Sequence, residues 1–210
     1  MTGSAIDTIS TAAPQGLRSF HFIGIGGAGM SGIAMVLRSR GYDVTGSDLK
    51  ASRYTALVEQ AGVPVMIGHR AANLDHPDVV VISSAIPAHN VELQEARRRG
   101  IRVVKRAQAL AWLMASGRGV AVCGTHGKTT TTSMISRALV DSGADPTFLV
   151  GGELNDLGSN ARHGSGELVV CEADESDGSL LLLRPEVAVL TNMELDHHSH
   201  YLHIEDVEKV

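Results

Sequence analysis

The sequence has only two cysteines in 210 residues, so it offers no disulfide framework. Cys123 and Cys171 each end an apolar, strand-like run. A cysteine outside a disulfide behaves as a small hydrophobic residue. We therefore interpret both as core residues with reduced thiols, as is usual for proteins of reducing compartments.

Positive charge is also scarce. The chain has 18 lysines and arginines against 23 aspartates and glutamates, which gives a net charge of −5. A nucleic-acid-binding protein needs a basic patch or stripe to contact phosphates. This composition predicts that nucleic acid is not a partner.

Long apolar runs are missing as well. The most apolar stretch, residues 180–183, is followed at once by Arg184 and Pro185, and a membrane-spanning helix needs about 20 apolar residues. Residues 1–16 lack the basic start and apolar stretch of a secretory signal, so they are interpreted as a disordered tail. We expect a cytoplasmic protein without membrane insertion.

The sequence does have a regular alternation of strand-like and helix-like segments. Helices predicted at 29–40, 54–61 and 91–99 are each followed by a glycine, the residue that most readily takes the left-handed conformation at a helix end. Strands are predicted at 20–25, 43–46, 63–67, 79–83 and 102–104. This pattern predicts a Rossmann-like parallel sheet covered on both faces, in an α/β domain at 17–106.

A second α/β unit is predicted at 107–210, introduced by an apolar helix at 107–114. Its strands are predicted at 120–123, 148–150, 168–171 and 187–190, and its main helix at 129–141. Residues 151–166 are rich in glycine and asparagine and are interpreted as a functional loop. The unit has few strands, and a helix beginning near residue 204 runs to the last residue. We interpret it as an incomplete part of a longer protein.

A first glycine loop, Gly24-Ile25-Gly26-Gly27-Ala28-Gly29, follows a predicted strand and opens a helix. Its backbone N–H groups and the helix dipole suit a diphosphate. Asp48, at the end of the next strand, is a candidate acceptor for a ribose hydroxyl. The motif does not specify the base, so a nucleotide sugar, NAD and a plain glycine-packed turn all stay open.

A second loop contains Gly127, Lys128 and Thr129 after another short apolar strand. Val122 stands where the strict P-loop pattern has its first glycine, but the lysine and hydroxyl positions are kept. We predict that Lys128 contacts the terminal phosphates of ATP and that Thr129 binds Mg²⁺. The alternative is a simple Gly-Lys turn at a helix start.

Acidic residues and histidines follow the last two strands. Glu172 directly follows the strand at 168–171, where nucleotide-binding enzymes often supply a Mg²⁺-ordering carboxylate. Asp196, His197 and their neighbours follow the strand at 187–190, and they can be a second divalent-ion site, a zinc site or a surface loop. His69, Ser83 and Ser84 fall after strands of the first unit, where they can line a nucleotide pocket or be ordinary loop residues.

These motifs together resemble the Mur ligase family, from about residue 17 to the end. The segments that carry the resemblance are GIGGAGMSGIA, GSD, SSAIP, GTHGKTTTT, GGELN, EADESDGS and TNMELDH. The resemblance implies a UDP-sugar domain, a P-loop ATP domain and a third, Rossmann-like domain that this chain lacks. It implies ATP with Mg²⁺ as cofactors, and joining of L-alanine to UDP-N-acetylmuramate through an acyl phosphate in peptidoglycan synthesis.

Three other functions stay open beside that one: a ligase that attaches a whole tripeptide to the same UDP-sugar, an NAD(P)-dependent oxidoreductase, and a non-catalytic nucleotide-sensing module. The chain alone is expected to bind the UDP-sugar without catalysing ligation. The resemblance implies UDP-sugar contacts from Gly24, Gly26, Gly27, Ala28, Gly29, Met30, Asp48, His69, Ser83, Ser84 and Asn160. It implies ATP contacts from Gly124, Thr125, His126, Gly127, Lys128, Thr129, Thr130 and Asn192. Its implied catalytic residues are Lys128, Glu172 and His197, and its implied Mg²⁺ ligands are Thr129, Glu172 and His197. Ser199 departs from the acid that many relatives carry there.

Overall fold

A computed structural model of the chain describes residues 13–154, 158–173 and 179–194. The first unit has the strands β1 (Ser19–Ile23), β2 (Asp43–Asp48), β3 (Val65–Ile67), β4 (Val79–Ile82) and β5 (Arg102–Lys105). Its helices are α1 (Ala28–Ser39), α2 (Arg53–Gln60) and α3 (Val91–Arg98), with a 3₁₀ turn at Ala71–Asn73. Every strand and helix predicted for this unit is present, with ends shifted by no more than two residues.

The first sheet has the strand order β3-β2-β1-β4-β5, and all of its pairs are parallel. The predicted Rossmann-like sheet is therefore confirmed. The strand order reverses between β1 and β4, and ligands of such sheets bind at the carboxyl ends of the strands on either side of that point. The first glycine loop leaves β1 there, opposite the residues that follow β4.

The second unit contains the helices α4 (Arg106–Met114), α5 (Lys128–Asp141) and α6 (Ser179–Leu182). Its strands are β6 (Arg118–Cys123), β7 (Thr147–Leu154), β8 (Ser159–Arg162), β9 (Leu168–Glu172) and β10 (Val187–Leu190). The strand order is β10-β6-β9-β7-β8, in which only the β7–β8 pair is antiparallel. Two neighbours, β6 and β9, carry the second glycine loop and Glu172 at their carboxyl ends.

The prediction of a loop at 151–166 was wrong, because β7 continues to Leu154 and β8 lies within the segment. The sequence of β8, Ser-Asn-Ala-Arg, contains no β-branched or aromatic residue that would predict a strand. It is held by pairing with β7 and by packing of buried Asn160 and Ala161 against α1. Tertiary contacts therefore decide the conformation of this segment.

The two sheets share one hydrophobic core. Eight consecutive residues of α1, Met30 to Leu37, are buried, and the helix contacts β2 on one side and β7 and β8 on the other. Helix α4 is buried throughout from Ala107 to Met114. A helix buried on all faces belongs to the interior of a fold rather than its surface. The hydrophobic core contains residues from both sides of residue 106. The predicted domain boundary at that residue stays a prediction.

The structure also shows the state of the two cysteines and the length of the helices. Cys123 and Cys171 are both buried, and neither forms a disulfide within the part of the chain that the structure describes. Burial raises the pKa of the Cys171 thiol to about 12. No helix among the described residues is long and apolar enough to cross a membrane.

Candidate active site

The first glycine loop is a tight turn between β1 and α1. Gly24 has a φ of 84°, a conformation that favours glycine, and its N–H donates to the Ser47 carbonyl at 2.8 Å. Gly27 precedes α1, and no side chain among the described residues caps the helix start. The N–H groups of the first turn are thus available to an anion at the positive end of the helix dipole.

Asp48 supports this loop from the end of β2. Its Oδ2 accepts a hydrogen bond from the Gly26 N–H at 2.8 Å. A Cβ on Gly26 would lie 2.9 Å from that same oxygen, so glycine is required for the approach. The predicted contact of Asp48 with a ribose hydroxyl stays a prediction. What the structure adds is a second role for the carboxylate in fixing the loop.

His69 lies near Asp48 and contacts a buried glutamate, Glu92, which the sequence analysis did not identify. Its Nδ1 is 3.0 Å from Ser47 Oγ and 3.6 Å from a carboxylate oxygen of Glu92. Glu92 comes from α3 and is completely buried. Its side chain also accepts hydrogen bonds from Ser47 Oγ, the Arg70 N–H and Asn73 Nδ2, and it lies 3.4 Å from His21 Nε2. The orientation of His69 is therefore fixed from inside the protein.

Two opposing effects set the ionisation of Glu92. Burial raises the pKa of its carboxyl, while the hydrogen bonds from His21, Ser47, Arg70 and Asn73 lower it. The hydrogen bonds prevail, so the pKa lies below its usual value. The sequence held one signal for this role, because Glu92 lies on the same face of α3 as buried Leu93 and Ala96.

Ser83 and Ser84 follow β4 and lie on the other side of the glycine loop. A Cβ on Gly24 would lie 3.4 Å from Ser83 Oγ. Ser84 lines a cleft of about 320 Å³ between the two sheets. Both serines thus lie next to the loop itself, at the point where strand order reverses.

The cleft reaches from the first glycine loop to Glu172, whose Oε2 contacts Thr129 of the second loop. Its walls contain the first turn of α1 on one side, and the middle of β7 and the end of β9 on the other. The polar or glycine positions in its lining are Gly29, Ser84, Arg106, Gly151 and Glu172. Arg106 was not predicted as a site residue. Its position directly after β5, at the carboxyl edge of the first sheet, is the sequence signal that could have identified it.

The second glycine loop joins β6 to α5. Gly127 has a φ of 79° immediately before the helix. Lys128 Nζ donates to the Gly124 carbonyl at 2.6 Å and to the Thr125 carbonyl at 3.3 Å, so the side chain lies over its own loop. Thr129 and Thr130 are exposed at the helix start. The lysine and both hydroxyls therefore lie on the same short turn.

Glu172 reaches this turn from the neighbouring strand. It pairs in register with Val122 of β6, and its Oε2 lies 3.2 Å from Thr129 Oγ1. Its Oε1 accepts from the Gly151 N–H at 2.6 Å. A hydroxyl and a carboxylate beside a phosphate-type loop are ligands that Mg²⁺ prefers, so the described residues fit a Mg-nucleotide.

Residues that follow β10 hold the second loop from the other side. The His126 N–H donates to Asn192 Oδ1 at 2.9 Å, and Asn192 Nδ2 donates to the His126 carbonyl at 3.1 Å. Thr125 Oγ1 donates to the Glu194 carbonyl and accepts from the Glu194 N–H. The predicted contact of Asn192 with ATP stays a prediction, while its side chain fixes the loop backbone.

Asn160 is buried beneath the first loop rather than at the cleft surface. It is 0% exposed, and its Nδ2 donates to the Ala28 carbonyl at 2.6 Å and to Ser31 Oγ at 3.2 Å. Its Oδ1 has no hydrogen-bond partner among the described residues. Asn160 thus ties β8 to the start of α1. The predicted contact with the sugar end of the substrate stays a prediction.

Several predicted site residues lie outside the described part of the chain. These are Asp196 and His197, with the neighbouring histidines at 198 and 200. Within residues 13–154, 158–173 and 179–194, no three His, Cys, Asp or Glu side chains form a metal-binding group. The described metal-site candidates are therefore Thr129 and Glu172.

Comparison with known families gives two matches in succession. The model described as "Mur ligase family, catalytic domain" matches residues 19–118, and "Mur ligase middle domain" matches residues 122–210. Between them they span the first glycine loop, the second glycine loop and Glu172.

Two curated proteins are similar to most of this chain. A protein of Rubrobacter xylanophilus named UDP-N-acetylmuramate–L-alanine ligase is 60% identical over 187 residues, which is 89% of this chain and 42% of that protein. One of the same name from Aquifex aeolicus is 52% identical over 92% of this chain and 42% of its own length. The chain thus spans about two fifths of the length of these relatives.

Solved structures agree with the fold. A UDP-N-acetylmuramate–alanine ligase from Thermotoga maritima has a TM-score of 0.84 at 32% identity, over 92% of this chain and 45% of that one. A ligase from Neisseria meningitides, named UDP-N-acetylmuramate:L-alanyl-gamma-D-glutamyl-meso-diaminopimelate ligase, has a TM-score of 0.83 at 30% identity over 92% of this chain and 66% of that one. The α/β fold is confirmed by both. The chain belongs to the Mur ligase family.

Proposed function

We propose that this chain forms the UDP-sugar site and the ATP site of a ligase that joins L-alanine to UDP-N-acetylmuramate. The carboxylate of the sugar substrate takes the terminal phosphoryl group of ATP, and ADP leaves. The amine of L-alanine then attacks the acyl phosphate, an amide forms and phosphate leaves. A cytoplasmic location and a role in peptidoglycan synthesis belong to the same proposal.

One observation carries this proposal: a single cleft has Gly29 of the first loop in one wall and Glu172 in the other. A diphosphate at the start of α1 would direct the attached sugar along this cleft. The sugar carboxylate would then approach the phosphates held at the second loop. A site for each substrate in a shared cleft is what a two-substrate ligation requires, because the reacting atoms must meet.

The residues of the first loop and its surroundings bind the nucleotide sugar. The N–H groups that follow Gly27 receive the diphosphate, and Asp48 fixes the loop that presents them. His69, held by Ser47 and Glu92, faces the nucleoside side. Ser83 and Ser84 add hydroxyl groups beside the diphosphate.

The residues of the second loop bind ATP. Lys128 moves its ammonium from the loop carbonyls to the terminal phosphates, and Thr129 and Glu172 hold the metal. Mg²⁺ neutralises phosphate charge when bound there with ATP, and His197 is the proposed ligand of a second ion. The site must also exclude water during the reaction, because an acyl phosphate hydrolyses easily.

Binding to the 210-residue chain tests the first half of the proposal. Isothermal titration calorimetry with UDP-N-acetylmuramate should give saturable binding, and NADH should give none. Tight NADH binding with no response to the UDP-sugar would support an NAD(P)-dependent oxidoreductase and contradict the proposal.

The second half needs an activity measurement. In a protein of the relatives' full length that contains this sequence, phosphate release should require UDP-N-acetylmuramate and L-alanine together. The similarity to the Neisseria ligase favours one alternative acceptor, the L-alanyl-gamma-D-glutamyl-meso-diaminopimelate tripeptide for which that protein is named. Phosphate release with that tripeptide but not with L-alanine would replace the proposed acceptor. Ligation by the 210-residue chain alone would contradict the expectation that it only binds.

A further inference from the structure

Arg106, the first residue of α4, places its guanidinium against the first turn of α1. A Cβ built on Gly29 would lie 2.8 Å from Arg106 Nη1, 3.1 Å from Cδ and 3.4 Å from Cζ. The end of the arginine side chain therefore lies directly on the backbone of Gly29. This approach is possible because the residue at position 29 has no side chain.

Arg106 also supplies the positive charge of the cleft. Of the described residues that line it, Arg106 is the one cation and Glu172 the one anion. Arg106 directly follows β5 of the first sheet, and Glu172 ends β9 of the second. A guanidinium presents paired N–H donors that match two oxygens of a phosphate. The Arg106 end of the cleft therefore suits an anionic group, and the Glu172 end suits a metal-bound one.

We propose that Arg106 binds the sugar-side phosphate of the nucleotide diphosphate. This inference rests on the proposed function and names a further substrate-binding residue for it. Asp48 and His69 lie on the β2–β3 side of the glycine loop, where the nucleoside belongs. Arg106 lies on the opposite side, toward the cleft, so the phosphate nearer the sugar is the one within its reach.

The carboxylate of the sugar substrate is a less suitable partner for Arg106. That carboxylate must meet the terminal phosphate of ATP, which the second loop holds near Thr129 and Glu172. Arg106 instead contacts Gly29, within the first turn of the helix that receives the diphosphate. The phosphates of ATP belong to Lys128 and its loop. The diphosphate is therefore the anion that α1 and Arg106 share.

A ligand series on the 210-residue chain tests this assignment by calorimetry at constant ionic strength. Arg106→Ala should weaken binding of UDP and of UDP-N-acetylmuramate by the same factor, about 10- to 100-fold, as expected for a lost charge-assisted hydrogen bond. Binding of UMP, which lacks the second phosphate, should change by less than about twofold. Arg106→Lys should give an intermediate loss, since it keeps the charge without the paired donors.

Lys105→Ala is the matched control, because it removes one positive charge from the adjacent, exposed position. It should leave all three affinities within about twofold of the parent. Thermal unfolding of each variant separates a binding effect from a folding effect.

Gly29→Ala provides a second test that keeps the arginine. The new Cβ meets the flexible end of Arg106, so the side chain can move while the helix stays intact. We expect UDP affinity to fall with little change in stability. In the double variant the loss should be smaller than the sum of the single losses, because both changes remove the same contact.

Three results would overturn the assignment. Equal weakening of UMP and UDP by Arg106→Ala would place the contact elsewhere. Weakening of UDP-N-acetylmuramate alone would mean that Arg106 contacts the sugar or its carboxylate. Fully additive losses in the double variant would mean that Gly29 and Arg106 act separately. If the parent chain bound neither UDP nor UDP-N-acetylmuramate, the proposed function itself would fail together with this inference.

Discussion

Lys128 and Asp48 each interact with the backbone of their own glycine loop, and those loops belong to different sheets. Lys128→Ala should weaken Mg-ATP binding by about 10-fold or more, because a charge-assisted contact to phosphate is lost. Its effect on UDP-N-acetylmuramate should be less than twofold. Asp48→Ala should show the opposite selectivity, since it frees the Gly26 N–H from its support. Calorimetry with both ligands on both variants measures this.

Lys128→Arg and Asp48→Asn serve as conservative controls for the two substitutions. Lys128→Arg keeps the positive charge, and Asp48→Asn keeps most of the shape of the side chain. The separation of the two sites would be contradicted if Lys128→Ala and Asp48→Ala weakened the same ligand.

Glu92 is a buried carboxylate whose contribution to stability should depend on pH. At neutral pH, Glu92→Gln should destabilise the fold by about 2–4 kcal/mol, because donors from Ser47, Asn73 and Arg70 then meet an amide. The pKa of Glu92 lies below its usual value, so the folded state holds fewer protons than the unfolded state. Its stabilisation is complete above the unfolded pKa, about 4.3, and is lost as the pH falls through the folded value.

Urea denaturation of Glu92→Gln and the parent at pH 7 and near pH 3.5 measures that difference. The gap between the two proteins should shrink in acid. His21 and His69 also face Glu92, and both are present in each protein. A gap that stayed constant down to pH 3.5 would show that the charge of Glu92 does not stabilise the fold.

Glu92 and Arg106 are site residues that the sequence analysis did not predict. Lys128, Thr129 and Glu172 belong to motifs with fixed spacing, and the fold brings the three together. Glu92 sits inside an amphipathic helix, and Arg106 opens an apolar one, so neither has a local motif. The contacts of Glu92 and Arg106 depend on which strands are neighbours in the sheets. Local sequence patterns do not reveal that order.

Helix α3 begins with a cap that should matter for both stability and the site. The Asn90 side chain accepts hydrogen bonds from the N–H groups of Glu92 and Leu93 at 2.9 and 3.1 Å. Asn90→Ala should cost about 1 kcal/mol of unfolding free energy, since it leaves these donors without a cap. It should also loosen Glu92, which lies in the first turn. Urea denaturation gives the first effect and calorimetry with uridine nucleotides gives the second.

Asn90→Ser is the matched control, because serine caps helices about as well as asparagine. Helix α2 supplies a comparison in the same unit, since Ser52 caps it through a reciprocal pair of hydrogen bonds with Thr55. Ser52→Ala should destabilise the protein to a similar degree without disturbing Glu92. An Asn90→Ala protein as stable as the parent would mean that water replaces the cap at no cost.

Strand β8 is an element that the sequence analysis did not predict. Helices followed by glycine and strands rich in valine were predicted correctly because local propensity and tertiary packing agree there. In β8, the small and polar residues Asn160 and Ala161 fit a crowded place against α1, where a Cβ on Gly32 would lie 3.1 Å from Ala161 Cβ. Such a strand is recognised only once the helix that covers it is known.

At the scale of the whole molecule, α1 connects the two sites. Its first turn carries the proposed diphosphate site, and its middle packs on β7 and β8 of the second sheet. Asn160 adds a hydrogen bond from β8 to the Ala28 carbonyl in that first turn. The position of the first loop relative to the second is therefore set by packing inside a common core.

A shared core predicts a single unfolding transition for both sheets. Hydrogen exchange of the buried amides in β1 and β4 and of those in β6 and β9 should report the same free energy of opening. Tryptophan fluorescence from Trp112 in α4 should follow the same denaturant midpoint as circular dichroism. Earlier exchange of the second sheet in the parent protein would mean that the two units unfold separately.

Gly32→Leu tests the cause of this cooperativity. A leucine at this position would separate α1 from β8, because the space beside Ala161 is already filled. We expect it to destabilise the protein by about 1–3 kcal/mol and to make the second sheet exchange before the first. Ser39→Leu, at the exposed end of the same helix, is the control and should leave a single transition. If Gly32→Leu lowered the stability of both sheets equally, their coupling would have to come from α4 rather than from α1.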